Sequence, residues 1–372
     1  MSGLLITLDA VGGIWRYALD LGRIAAEAGY RPVFAGLGPA PSAAQAAEAR
    51  ALGPLEWGDA PLDWMADGLD ALAPVAGWID RIADRHEVAL LHLNLPSQAR
   101  GLTGGRPVVA ACHSCLATWF SVMRNLPLPP DLGWHRTVTA EGCAAAGTVI
   151  SPSGSHARLM ARVYGTTGVR VVHNASHAPE REWSEGEGIL AVGRWWDEGK
   201  NAAVLDEAAG LRALDVTMIG DRIGPDFRSV PLHHARAAGS MPHDEALGRV
   251  GRAAVFVSPS RYEPFGLAAL EAARASRPLV LADIPTYREL WDDAAVFFPP
   301  DDPDTLSRTL SDLVHAPNWR RKLGEAARER AARYTPAEHR KAMTAVWQAA
   351  RDSAAPAPAP PADATPPREV RA

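Results

Sequence analysis

Short apolar runs recur along the chain, each followed by a glycine-rich or polar turn and then a stretch with helical periodicity. Residues 3–8 form the first run, and after it Ile14, Tyr17, Ala18, Leu21 and Ala25 fall on one helical face. Runs at 32–37, 88–93, 108–112, 148–150 and 169–172 continue the alternation. A second series begins at 189–192 and returns at 215–219, 253–257, 278–281 and 296–298. Alternating strand and helix patterns predict parallel, doubly wound sheets, whose ligands sit beyond the carboxyl ends of the strands. The polar and charged stretch 176–188 between the two series reads as an interdomain hinge. The expected division is therefore a first domain over 1–175, the hinge, and a second domain over 189–335. Helical patterns at 317–334 and 336–351 follow, and the Ala/Pro-rich residues 353–372 read as a disordered, polyproline-like tail.

Composition narrows the class. At 372 residues the chain exceeds the usual size of one hydrophobic core, which agrees with two domains. A net charge of −5 gives no footprint for nucleic acid. Three cysteines cannot staple a chain of this length, so a reducing, cytoplasmic setting is expected. Residues 4–8 are too short an apolar run for a signal peptide, and no stretch approaches the roughly 18 apolar residues of a membrane span. Peripheral membrane contact stays open.

The densest chemistry lies at residues 258–281, which read as strand, loop, helix, strand. Glu263 sits in the loop, Gly266 where the helix begins, and Glu271 inside the helix; at 1.5 Å per residue the two carboxylates are about 12 Å apart. A helix N-terminus between them offers free N–H groups and a positive dipole end suited to phosphate. Such a pair also arises by chance, and Glu271 could be a solvated helix residue. However, Leu267, Ala268, Leu270, Ala272 and Ala275 surround it, and unpaired carboxylates are rare in apolar settings.

Other candidates cluster in the turns. Gly12 and Gly13, between the first strand and helix, permit close backbone approach to a ligand, or only a tight turn. Arg194 and Lys200 follow the strand 189–192 and suit an anion, or a surface ion pair with Asp197 or Glu198. Only Lys200, Lys322 and Lys341 among 38 basic residues are lysines, which draws attention to Lys200. His113 ends the strand 108–112. Trp119 and Trp134 are candidates for a cleft lining or for core packing. Cys112 and Cys115 form a C-x-x-C pair, but Cys143 alone does not complete a zinc site. Asp302-Pro-Asp304 reads as a helix N-cap rather than a metal motif.

The stretch Glu263-Pro-Phe-Gly-Leu-Ala-Ala-Leu-Glu271 resembles the E-x7-E motif of retaining family 4 glycosyltransferases. That resemblance implies the GT-B fold, two Rossmann-like domains facing across a cleft, with the last helix (336–352) crossing back to the first domain. It also implies that Glu263 holds the donor sugar and Glu271 the ribose, while Arg194 and Lys200 grip the diphosphate. Gly12 and Gly13 would lie against the diphosphate and acceptor, and His113 would face the reaction centre. Phe265, Gly266, Leu267 and the turn at Met241 would complete the donor site. The implied reaction moves a hexose from a UDP- or GDP-sugar to a glycan, lipid or small-molecule hydroxyl, with no metal or other cofactor. The chain departs from the family pattern at His173-Asn174-Ala175, at the displaced Gly224-Pro225, and at 283–289, to which no role is assigned. A GT-B phosphorylase, a sugar-nucleotide epimerase and a non-catalytic sugar-nucleotide binder are the alternatives.

Overall fold

The computed structural model describes residues 2–224 and 227–354. The expected tail beyond 354 and Pro225 lie outside the described residues. Residues 353 and 354, expected in that tail, continue the last helix.

The first half runs β1 (Gly3–Leu8), α1 (Ile14–Glu27), β2 (Arg31–Gly36), α2 (Ala43–Arg50), β3 (Leu55–Trp57), α3 (Val75–Arg85), β4 (Val88–Leu93) and β5 (Val108–Ala111). It continues with α4 (Leu116–Met123), α5 (Gly133–Ala145), β6 (Thr148–Ser151), α6 (Gly154–Tyr164) and β7 (Arg170–Val171). All paired strands are parallel, in the order β3-β2-β1-β4-β5-β6-β7. Every residue of β1 is buried, as befits a strand covered by helices on both faces.

The second half runs β8 (Glu187–Val192), α7 (Ala202–Leu211), β9 (Val216–Ile219), β10 (Arg236–Gly239), α8 (His243–Val250), β11 (Ala253–Ser258), α9 (Leu267–Arg274), β12 (Leu279–Ala282), α10 (Pro285–Trp291) and β13 (Val296–Phe298). Helices α11 (Pro303–Val314), α12 (Pro317–Ala331) and α13 (Pro336–Ala354) close the chain. Its parallel sheet has the order β10-β9-β8-β11-β12-β13. Both sheets reverse strand order beside their first strand, between β1 and β4 and between β8 and β11. A doubly wound sheet leaves a crevice at that point, beyond the carboxyl ends. The turns after β1, β4, β8 and β11 are therefore the four places where a shared site can form.

Helix α13 belongs to the first core rather than the second. Met343, Val346, Trp347 and Ala350 are buried with Leu4, Ile6 and Val109, and Trp347 Nε1 donates to His92 Nδ1 at 3.1 Å. Burying an indole supplies a few kcal/mol, so the end of the chain ties the two halves together. The start of the linker is anchored on both sides. His339 Nδ1 and the His173 carbonyl lie 2.7 Å apart, and Arg274 Nε donates to the Ala178 carbonyl at 2.7 Å. Among the described residues no helix is long and apolar enough to cross a membrane.

Candidate active site

The turn after β1 is shaped by Asp9, whose Oδ1 accepts from the Val11 N–H at 2.9 Å. Burial raises the Asp9 pKa, while the Val11 and Gly12 N–H groups and Arg194 pull against that rise. Gly13 caps α1, and nothing stands within 4 Å of where its side chain would be. A Cβ on Gly12 would lie 3.1 Å from an Arg194 guanidinium nitrogen. The first domain's glycine loop and the second domain's arginine thus meet. Arg194 is half exposed, lies over the Trp196 ring, and is 3.7 Å from Asp197. The expected surface ion pair exists, but it is long and leaves the guanidinium turned to the cleft.

Lys200 ends the short 3-10 turn after β8, and Glu263 lies in the loop after β11. Their side chains meet, Nζ to Oε2, at 2.5 Å, and both are largely shielded at 19% and 16% exposure. The adjacent backbone is stitched across the same gap, since the Arg261 N–H donates to the Gly199 carbonyl at 2.9 Å. Gly266 begins α9 with φ of 92°, a left-handed conformation that costs a residue with a Cβ about 1 kcal/mol or more. The Cβ would also stand 2.8 Å from Tyr287. Phe265 is a wedge, with its ring 3% exposed and edge-on to Tyr334 at 5.6 Å, so only its backbone faces the loop.

Glu271 and Leu267 line a cavity of about 750 Å³ bounded by α1, the linker, α8, α9 and α13. Burial raises the Glu271 pKa to about 7. His243 Nε2 lies 3.5 Å from its Oε1, and burial lowers the His243 pKa, so near neutrality the imidazole is uncharged. Met241 packs against the second core just before α8. Neither Lys200 nor Glu263 lines this cavity, and their side of the cleft carries contacts between the domains.

Those contacts are numerous. Arg124 is bidentate to Glu198 at 2.9 and 2.5 Å, and Trp119 Nε1 donates to Asp197 at 3.2 Å. Tyr262, the neighbour of Glu263, inserts its hydroxyl between Thr118 at 2.8 Å and Ser114 at 3.2 Å. Glu289 accepts from the N–H groups of Gly154 and Ser155 at 2.7 and 2.6 Å, capping α6 from the other domain. Burial opposes ionisation of Glu289, but the Ser155 hydroxyl and these N–H groups prevail and lower its pKa. Trp119 therefore spans the cleft instead of filling a core. Trp134 is half-buried and stacks on His135 at 3.6 Å between centroids.

His113 Nε2 is 3.1 Å from Asn94 Oδ1, and Tyr17 meets its ring edge-on at 4.4 Å. Burial, then His156 and His339, lowers the His113 pKa to about 3, so the ring is neutral at physiological pH. Asn94, Tyr262 and Glu289 escaped the reading of motifs. Only the position of Asn94 directly after β4, and of Tyr262 beside Glu263, carried any signal. Among the described residues no group of three His, Cys, Asp or Glu is placed to hold a metal ion. Asp302 is an N-cap as expected, with Oδ1 accepting from the Thr305 N–H at 2.9 Å.

Two family models match this chain. Glycosyltransferase Family 4 covers residues 11–176, and Glycosyl transferases group 1 covers 231–330. A glycogen synthase of Mycobacterium tuberculosis is 37% identical over 101 residues, 27% of this chain and 24% of that protein. A GDP-mannose:cellobiosyl-diphosphopolyprenol alpha-mannosyltransferase of Xanthomonas oryzae is 27% identical over 213 residues, 51% of this chain and 53% of that one. The chain thus spans between a quarter and about half of these relatives. Sucrose-phosphate synthase from Thermosynechococcus elongatus superposes with a TM-score of 0.77 at 16% identity, over 95% of this chain and 100% of that one. HepE from Anabaena, solved with UDP and glucose, superposes at 0.73 and 15% identity over 94% and 100%. One glycosyltransferase model thus matches each half of the chain, and the shared architecture shows that the fold is GT-B, two parallel-sheet α/β domains facing across a cleft.

Proposed function

We propose that this chain is a retaining, metal-independent hexosyltransferase that uses a nucleotide-diphosphate sugar. The observation that carries the reading is the Lys200–Glu263 pair at 2.5 Å, set beside the approach of Arg194 to Gly12 at the facing switch points of the two sheets. The hard step is departure of the diphosphate as the anomeric carbon gains positive charge. Fixed positive groups at the leaving oxygens lower that barrier by a few kcal/mol each. Arg194, Lys200 and the N–H groups that open α9 supply such charge without a divalent ion. In the unliganded state Glu263 holds the Lys200 ammonium; on binding, Lys200 turns to the diphosphate and Glu263 to the sugar hydroxyls. Glu271, in the adjoining cavity, accepts from the ribose hydroxyls. With Nε2 donating to Asn94, the neutral His113 keeps a lone pair at Nδ1 to orient the acceptor hydroxyl. Closure through Arg124, Tyr262 and Glu289 excludes water, which favours transfer over hydrolysis. The names of relatives that use GDP-mannose or were solved with UDP and glucose support this donor class.

Incubation with a panel of UDP- and GDP-sugars should release nucleotide and yield a product with the donor's anomeric configuration. Lys200→Ala and Glu263→Ala should each lose at least a hundredfold in kcat, and added EDTA should leave turnover unchanged. Full turnover in both variants, or strict dependence on magnesium, would overturn the proposal.

A further inference from the structure

The first domain holds a thiol cluster that the proposed chemistry does not use. Cys112 follows β5 and is fully buried, whereas Cys115 caps α4 and is partly exposed. Both pack in one cluster with Cys143, Val149 and Met160. Cys115 Sγ also lies 2.9 Å from Thr118 Oγ1 and 2.9 Å from the Tyr164 hydroxyl. Thr118 Oγ1 is the same atom that holds the Tyr262 hydroxyl, whose other partners are Ser114, inside the C-x-x-C, and His156 Nε2 at 3.5 Å. Tyr262 in turn precedes Glu263. A continuous chain of contacts therefore runs from Cys112 through Cys115 and Thr118 to the residue beside Glu263.

We propose that Cys112 and Cys115 are a thiol–disulfide site, oxidised by low-molecular-weight disulfides, whose oxidation releases Tyr262 and opens the cleft. Cys115 is the attacking thiol. Burial raises its pKa, but the neighbouring Cys112 thiol and hydrogen bonds with Thr118 and Tyr164 outweigh this and lower it to about 7, so a large fraction is thiolate near neutrality. The Cys115 thiolate attacks the small disulfide, forming a mixed disulfide and expelling one thiolate. Cys112 then loses its proton, attacks the Cys115 sulfur and expels the second, so that one disulfide is reduced to two thiols as the protein pair is oxidised. Before the first step, the neighbouring Cys115 and burial hold the Cys112 pKa well above its ordinary value. Capping Cys115 removes that neighbouring negative charge, which orders the two steps. Cys143 is buried in the same cluster, with its pKa raised to about 11 by burial, and is too weakly ionised to lead. Drawing Cys115 into a bond with Cys112 takes its sulfur from Thr118 and Tyr164 and tightens the loop carrying His113 and Ser114.

The activity arm of the test rests on the glycosyltransferase reading; the chemical and exchange arms do not. The reduced full chain is treated with oxidised glutathione, then mapped by peptide mass spectrometry, hydrogen exchange and nucleotide-sugar turnover. The expected product is an intramolecular Cys112–Cys115 disulfide. Exchange should rise at residues 114–118 and 259–265, and turnover should fall about tenfold, the scale of losing two hydrogen bonds. Reduction should restore both. Cys115→Ser keeps a hydroxyl for Thr118 and Tyr164 and should resist the oxidant, Cys112→Ala should stop at the mixed disulfide, and Cys143→Ser should behave as wild type. A stable glutathione adduct as the end point in wild type, a disulfide through Cys143, or an internal disulfide with unchanged exchange would overturn the proposal. Turnover absent from every form while the chemical and exchange results hold would count against the glycosyltransferase reading alone.

Discussion

Glu271 stores a measurable penalty. Its carboxyl sits 15% exposed in an apolar helix, and burial raises its pKa from 4.5 to about 7. For an acid whose folded pKa lies above its unfolded value, the folded state binds the extra proton. Stability therefore falls as pH rises from about 4.5 to 7 and is level beyond. At 1.36 kcal/mol per unit, the ceiling on that loss is about 3 kcal/mol. Glu271→Gln keeps the shape and a neutral polar group, so it should be pH-independent in this window and more stable than wild type at pH 7.5. Thermal melts of both proteins at pH 5 and pH 7.5 read the difference, which should widen by about 2 kcal/mol at the higher pH. The same variant should bind nucleotide ten- to a hundredfold more weakly, because bonds from ribose hydroxyls to an ionised carboxylate are worth about 1.5–3 kcal/mol. Binding to wild type should also release protons near pH 7. A stability difference that does not change with pH would refute the penalty. Unchanged nucleotide affinity would refute the assignment of Glu271 to the ribose.

Other consequences are simpler to measure. Trp347→Ala should cost about 3–5 kcal/mol in chemical denaturation, because it empties a fully buried site in the first core and orphans His92. Gly266→Ala should lower thermal stability by at least about 1 kcal/mol and weaken nucleotide binding, since both φ and the Tyr287 ring resist a Cβ. Glu289→Ala leaves the α6 N-terminus without its cross-domain cap; amide exchange at 153–156 should accelerate while the cores stay protected.

The two parallel doubly wound sheets and the turns at their strand ends were legible in the alternation of apolar runs with helical periodicity, whereas the helix that crosses back was implied by the family resemblance alone and the strand order was not read. Local patterns carry that information because each βα unit buries its own face. The Glu263–Glu271 spacing was legible for the same reason, since one loop and one helix set it. The partnership of Lys200 with Glu263 was not, as the two are 63 residues apart and meet only once β8 and β11 lie side by side. Cross-domain contacts were hidden more deeply. Tyr262 meets Thr118 across 144 positions, and Glu289 meets Gly154 across 135, with no periodicity to announce either. The segment 283–289 matched no glycine-rich pattern, yet it supplies the cap on α6. Trp119 was read as a cleft lining or, more often, core packing; its indole N–H needs a polar partner and finds Asp197 across the cleft.

Calorimetric titration of UDP and GDP into wild type and Lys200→Ala tests the donor cleft most directly. The account predicts that at least one of the two nucleotides binds wild type and binds Lys200→Ala at least tenfold more weakly, with the difference shrinking as salt is raised. Equal affinity in the two proteins, or no binding of either nucleotide to wild type, would contradict it.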